Sequence, residues 1–290
     1  MEILKDISLK EYSSYKIGGL ARFFCIAENK EDIISAINFA KDNNLEILPI
    51  GGGSNILFSD KGFDGLVLKI KNNDIEILEE GDKVLLMVSS GILLSQLLDF
   101  SKQNSLAGLE WMAGIPGTLG GAIVGNAGIK NGQNISDCIR KIFVFDIKDK
   151  ELKIFNKDDC NFKYRESIFK GNNDYVLINA EIALNKGIKE NIESLSKEIL
   201  QNRIATQPYN LPSVGSVFKN PENDSAGRLI EACGLKGKQI GGAKISELHA
   251  NFIVNVDNAS SNDVMELIDL IKKTVKEKFN ILLEEEIEFF

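Results

Sequence analysis

The sequence predicts an α+β protein built in three stretches. Three observations predict it. The chain opens as strand, helix, strand and stops at three consecutive glycines. Its middle is a series of short strands broken by polar turns. Helical periodicity returns only toward the end. Boundaries fall near residue 63 and near residue 185, giving stretches 1–62, 63–184 and 185–290.

In the first stretch, Ala21–Ile26 is a short apolar run. Asn29 is placed to cap a helix through Asn43, with Ile33, Ile37 and Ala40 on one face. Leu45–Ile50 reads as a buried strand. In the second, Leu66–Ile70, Ile75–Leu78 and Lys83–Ser89 read as strands, followed by a helix near Leu93–Gln103. Lys141–Ile147 and Glu151–Phe155 form a hairpin across Lys148-Asp149-Lys150, and Tyr175–Leu184 is a further strand. In the third, Ile192, Leu195 and Ile199 mark a helix that ends before Pro208. Ser225 caps a short helix that Gly234 stops. Phe252–Val256 is a strand. Ser260 or Ser261 opens a long helix with Val264, Leu267, Ile268, Ile271 and Val275 as its apolar face. A last strand is expected over Leu282–Phe290, with Glu284, Glu286 and Glu288 on one side.

Of the 290 residues, 43% are hydrophobic and 26% charged, which excludes a disordered or low-complexity chain. The 42 acidic residues outnumber the 34 basic ones, a formal charge of −8, and no basic stripe marks a general nucleic-acid binder. An anionic ligand must therefore be held by local groups against an unfavourable overall field. Only five of the basic residues are Arg. No apolar segment reaches the roughly 18 residues a membrane helix needs, and the first 15 residues hold no signal-like apolar core. Cys25, Cys138, Cys160 and Cys233 are dispersed and read as free thiols of a reducing cytoplasm. With one His and no Cys pair, no metal site is expected.

Two Gly-rich loops carry the chemical signal. In Gly51-Gly52-Gly53-Ser54-Asn55, successive backbone N–H groups can line one concavity that holds an anion, with Gly52 expected at positive φ. A tight strand-ending turn explains the loop equally well. The second loop runs Gly114-Ile115-Pro116-Gly117-Thr118-Leu119-Gly120-Gly121-Ala122 and continues to Gly128, six glycines in fifteen residues. Small and apolar residues between glycines suit a flat ligand at close approach. Two such loops in one chain are what a dinucleotide cofactor needs. Tyr164-Arg165-Glu166-Ser167 holds one of the scarce Arg residues. Gly215-Ser216-Val217-Phe218-Lys219-Asn220 offers a Ser with Lys and Asn downstream, but it is not a nucleophile elbow. The acidic run Glu284–Glu288 reads, by itself, as a solvated face.

The ordered series GGGSN, GLEWMAGIPGTLGGA, NAG, YRES, GSVFKNP, AGRLIE, ISELHANFIVN and LEEEIEF resembles the UDP-N-acetylenolpyruvoylglucosamine reductase family over nearly the whole chain. The resemblance implies a two-part FAD-binding fold of the vanillyl-alcohol oxidase type, 1–62 and 63–184, and a substrate domain, 185–290. It implies FAD as cofactor and NADPH as hydride donor. The reaction implied is reduction of UDP-N-acetylglucosamine enolpyruvate to UDP-N-acetylmuramate, in peptidoglycan precursor synthesis. Carried over by motif, Arg165 polarises the substrate carboxylate, Glu286 acts on the developing enediol and Ser216 protonates carbon. FAD is expected on Gly51, Gly52, Gly53, Ser54 and Asn55 and along Gly114, Ile115, Pro116, Gly117, Thr118, Gly121 and Ala122. Tyr164, Lys219, Asn220 and Arg228 are expected to bind substrate. Only about 20 residues separate Leu184 from Arg203, too few for the insertion of the family's long form. Ile129-Lys130-Asn131 stands where many relatives carry an aromatic. A monomer acting in the cytoplasm on a small molecule, with no nucleic-acid or membrane partner, is expected. Another flavin oxidoreductase of the same fold, or a nucleotide-binding module without activity, are the alternatives.

Overall fold

The computed structural model describes residues 1–129 and 132–290; Lys130 and Asn131, part of the stretch that departs from the family, lie outside the described residues. In chain order the strands and helices begin with β1 (Leu4–Ser8), β2 (Leu20–Ala27), α1 (Lys30–Asp42), β3 (Ile47–Ile50), β4 (Ile56–Leu57) and β5 (Phe63–Ile70). They continue through β6 (Ile75–Glu80), β7 (Lys83–Ser89), α2 (Leu94–Gln103), β8 (Leu106–Ala107), α3 (Leu119–Val124), β9 (Ile139–Asp146), β10 (Glu151–Asn156) and β11 (Tyr175–Lys186). The remainder is α4 (Lys189–Thr206), α5 (Ala226–Ala232), β12 (Gln239–Ile240), β13 (Ala243–Ile245), β14 (Ile253–Asn255), α6 (Ser261–Phe279) and β15 (Glu288–Phe289).

The chain forms two compact units. The first comprises 1–4, 23–52 and 65–202; the second comprises 5–22, 53–64 and 203–290. In the first unit, an antiparallel sheet of order β10-β9-β11-β7-β6, with β8 also on β11, packs an apolar face against α2 and α3. A separate core gathers Ile33, Ala36, Ile37 and Ala40 of α1 against β3 and β5. The strand order β1-β2-β5-β3 pairs β3 and β5 in parallel, with Ile50 opposite Lys69. The α1 face falls at the expected spacing, and Asn29 caps the helix by accepting the Asp32 N–H at 2.8 Å.

In the second unit, α6 lies over the small sheet β12-β13-β14. Its apolar residues Val264, Leu267, Ile268, Ile271 and Val275 are all fully buried. Burying each contributes about 1.5–3 kcal/mol. Ser260 and Asp263 cap it reciprocally, and Asn280 ends it in the left-handed conformation.

The expected helix ending before Pro208 is α4, on which Ile192 is buried and Leu195 is 46% exposed. The expected terminal strand over Leu282–Phe290 is regular only at β15, which pairs in parallel with β4. Upstream of it a single bridge joins Glu285 to Phe218. The alternation was read from side chains; the ladder length depends on partners, and β4 offers only two residues.

Candidate functional site

In the first unit the two glycine loops touch. A Cβ on Gly52 would stand 2.7 Å from Gly117 Cα, and one on Gly51 would stand 2.2 Å from Thr118 Oγ1. Gly52 is therefore glycine because another backbone passes beside it. The expected positive φ belongs instead to Gly53, at +65°. Among the described residues, no acceptor takes the N–H groups of Gly51, Gly52, Gly117 or Thr118. The second loop is pinned by its neighbours: Leu94 N–H donates to Gly117 O, Leu119 N–H to Ile92 O, and Gly120 N–H to Ser90 O at 2.7 Å. Thr118 caps α3 by accepting the Gly121 N–H at 3.4 Å, and Ala122 is buried on that helix.

Behind this loop lies a buried network that sequence reasoning passed over. Asn72 accepts the Gly91 N–H at 2.9 Å and donates to Ile178 O, while Ser90 Oγ donates to Leu177 O. Lys69 was also passed over, although a lysine inside the apolar run Leu66–Ile70 was a visible signal. Its Nζ donates to the Gly51 carbonyl.

Arg165, also in the first unit, has a left-handed backbone, φ +57°. Its Nη2 donates to Gly128 O at 2.7 Å, and its guanidinium lies 5.0 Å from the Tyr164 ring centroid. Asn126 supports this turn by donating to Lys163 O, and Ser167 by donating to Val124 O. NAG and YRES, with Gly128 and Arg165 37 positions apart, thus make one structure.

In the second unit the Tyr12-Ser13-Ser14 segment backs the other half of the first loop. Ser14 N–H donates to Gly53 O at 3.0 Å, and a Cβ on Gly53 would collide with Tyr12 O. Asn55 Nδ2 donates to Glu286 O at 3.1 Å. The Val217–Lys219 segment that follows Ser216 runs beside Glu284–Glu286: Glu286 N–H donates to Val217 O, and Lys219 N–H to Glu284 O, both at 2.8 Å. Asn251 holds the far edge of the same segment through Phe218 N–H and O.

Lys219 forms an ion pair with Glu284; the Lys side chain is 10% exposed and the Glu 71%. Asn220 Oδ1 accepts the Ala226 N–H and so helps start α5. Arg228 is engaged by both carboxylate oxygens of Asp224. His249 turns the chain before β14, stacking edge-on to Phe252 at 4.7 Å, and burial pushes its pKa down. Burial also pushes the thiols of Cys25, Cys138 and Cys160 up to about 12, so they stay protonated. Among the described residues, no cluster of His, Cys, Asp or Glu is arranged to hold a metal ion, and no helix is long and apolar enough to cross a membrane.

Touching glycine loops with unaccepted N–H groups, on a mixed parallel and antiparallel scaffold, fit a nucleotide-cofactor-binding protein. Residues 21–152 match the FAD binding domain family, and residues 207–290 match the UDP-N-acetylenolpyruvoylglucosamine reductase, C-terminal domain. The fold alone is shared with a Phl p 4 variant, a glucose oxidase (TM-score 0.50, 12% identity, 64% of this chain and 42% of the other). Over the full length the similarity is closer. UDP-N-acetylenolpyruvoylglucosamine reductase of Clostridium novyi (strain NT) is 40% identical over 286 residues, 99% of this chain and 91% of the relative. That of Desulforamulus reducens is 42% identical over 281 residues, 96% and 90% of the two chains. The crystal structure of the Thermus caldophilus enzyme superposes with a TM-score of 0.83 at 31% identity, covering 100% of this chain and 98% of the other. The chain belongs to the UDP-N-acetylenolpyruvoylglucosamine reductase family.

Proposed function

We propose that the protein is an FAD-dependent oxidoreductase that uses NADPH to reduce UDP-N-acetylglucosamine enolpyruvate to UDP-N-acetylmuramate. The observation that carries this reading is family membership along the full chain, joined to glycine loops whose donors suit a dinucleotide. FAD, when bound, supplies the hydride-transfer chemistry; the protein supplies binding, orientation and field. Gly51–Asn55 and the loop Gly114–Ala122 would hold it. Their fit rests on the close approach of Gly52 to Gly117, which leaves no room for side chains between the loops.

Hydride addition at the carbon β to the substrate carboxylate leaves an aci-carboxylate that needs positive charge and donors. Arg165 is assigned to that carboxylate. Its bond to Gly128 O fixes one guanidinium nitrogen and so aims the fork. Glu286 is assigned to the enediol oxygen. Ser216 is assigned the proton that goes to the α-carbon, its alkoxide then regaining a proton from solvent. Val217 lies beside Ser216, and its carbonyl accepts the Glu286 N–H, a local order that supports pairing the two roles. Lys219, held by Glu284, would steady the charge at Ser216. Tyr164, Asn220 and Arg228 are proposed to bind the sugar nucleotide; Arg228 would have to exchange Asp224 for phosphate. A domain division at 1–62, 63–184 and 185–290, a monomeric state, action in the cytoplasm and the absence of nucleic-acid or membrane partners complete the proposal. Light scattering checks the monomer.

Stopped-flow absorbance on Ser216→Ala tests the chemistry. Reduction of the bound flavin by NADPH should proceed at the native rate, while turnover of the enolpyruvyl substrate falls by about 10²-fold or more. Equal slowing of both steps would remove Ser216 from its role.

A further inference from the structure

Lys69 lies in β5 opposite Ile50, the residue before the first glycine loop. Residues 66–68 and 70 around it are buried. Its ammonium donates to the carbonyl of Gly51, just past the end of the neighbouring strand β3. Among the described residues that neutral carbonyl is its one hydrogen-bond partner, and no carboxylate pairs with it. An ammonium has three donors, so two remain for other acceptors. Burial, and then Lys71, push its pKa down, which is the mark of a cation lacking a counter-ion.

The contact also sets the loop. A trans peptide points its C=O and the next N–H in opposite directions. Fixing Gly51 O toward β5 therefore turns the Gly52 N–H away from the strand, where no acceptor meets it. The N–H groups of Gly51, Gly117 and Thr118, in the same two touching loops, likewise meet no acceptor among the described residues. Unaccepted donors beside one positive charge complement an anion of high charge density. A structural role alone would need only a neutral donor to Gly51 O, without the cost of a half-buried charge.

We propose that Lys69 is the counter-ion of the FAD diphosphate at the Gly51–Asn55 loop, and that it orients the Gly52 N–H toward the same phosphates. This rests on the flavoprotein reading above. The substrate also carries a diphosphate, so the test separates the two.

The full chain, freed of flavin, is titrated with FAD, with riboflavin and with UDP-N-acetylglucosamine, for the native protein and for Lys69→Met, Lys69→Gln and Lys69→Arg. Lys69→Met should weaken FAD by about 10- to 100-fold, the usual worth of a charge-assisted contact. Riboflavin, which lacks phosphate, and the sugar nucleotide should change less than about twofold, by the same reasoning. Lys69→Arg should regain most of the FAD affinity, and the flavin-free melting temperature of Lys69→Met should not fall. Should Lys69→Met fail to fold, Lys69→Gln against Lys69→Arg makes the same comparison. Native-like FAD affinity in the neutral variants overturns the proposal. So does an equal loss for FAD and riboflavin, or a loss confined to the sugar nucleotide. A native protein that binds no FAD overturns the functional reading itself, and this is seen before any variant is made.

Discussion

Glu286 is the residue at which composition and position pull in opposite directions. It stands in an acidic run that composition alone assigns to water. Its backbone, however, is fixed twice, by Val217 O through its N–H and by Asn55 Nδ2 through its carbonyl. Glu284, two residues away, is spent on Lys219, and Glu285 on Lys272 at 2.7 Å. Glu286→Gln should lower kcat by about 10²-fold with little change in FAD content, as loss of an acid–base partner does. Glu284→Gln should act differently, releasing the nearly buried Lys219 and raising KM more than it lowers kcat. Steady-state kinetics with flavin absorbance separates them; equal small effects would return Glu286 to the solvated face. Much of this was legible in the residues. Arg165 stood out because Arg is scarce, and the glycines because they cluster. What could not be read is how each is held. Arg165 depends on Gly128, Gly52 on Gly117, and Gly51 on Lys69, all distant in sequence and joined only by folding.

Elements were legible where their signals are local. Capped helices such as α1, α5 and α6 carry start, face and stop within their own residues. The hairpin of β9 and β10 was legible for the same reason, and Asp146 supports its turn. Its carboxylate accepts the N–H groups of Lys148 and Asp149 at 2.8 and 3.0 Å and pairs with Lys153. Burial pushes the Asp146 pKa up, but the Lys153 bond and the Asp149 and Lys148 N–H groups outweigh it, and the net shift is downward. The stabilisation is thus present above the unfolded value near 3.9 and is lost as pH falls through the lower folded value. Asp146→Asn should cost about 1–3 kcal/mol at neutral pH. Urea melts at pH 7 and near pH 3 should give a gap between native and variant that narrows in acid. A constant gap would assign the loss to packing. Less legible were the terminal segment, where partners and not periodicity decide, and the depth to which α4 is buried: Leu195 repeats at the helical spacing yet is 46% exposed.

At the scale of the molecule, cofactor and fold are linked. If the two glycine loops hold FAD as proposed, binding should add to folding free energy by mass action. At a free FAD concentration 100 times Kd the gain is about 2.7 kcal/mol, roughly 5 °C in melting temperature for a chain of this size. Differential scanning calorimetry across an FAD series measures it, and a melting temperature that ignores FAD would contradict the assignment of both loops.

The second unit is assembled from 5–22, 53–64 and 203–290, with Asn255 donating to the Tyr15 carbonyl 240 residues earlier and β15 pairing with β4. During synthesis this separation becomes a delay. At 5–20 residues per second the ribosome needs roughly 10–50 s to travel from the first glycine loop to the strand that pairs beside it. Until residues from 214 onward are made, Tyr15, Ile17 and Leu57, all interior in the finished protein, lack the partners their core draws from the C-terminal stretch. The nascent chain therefore carries an early apolar segment that waits, and protection by a chaperone or by transient contacts has to span that wait.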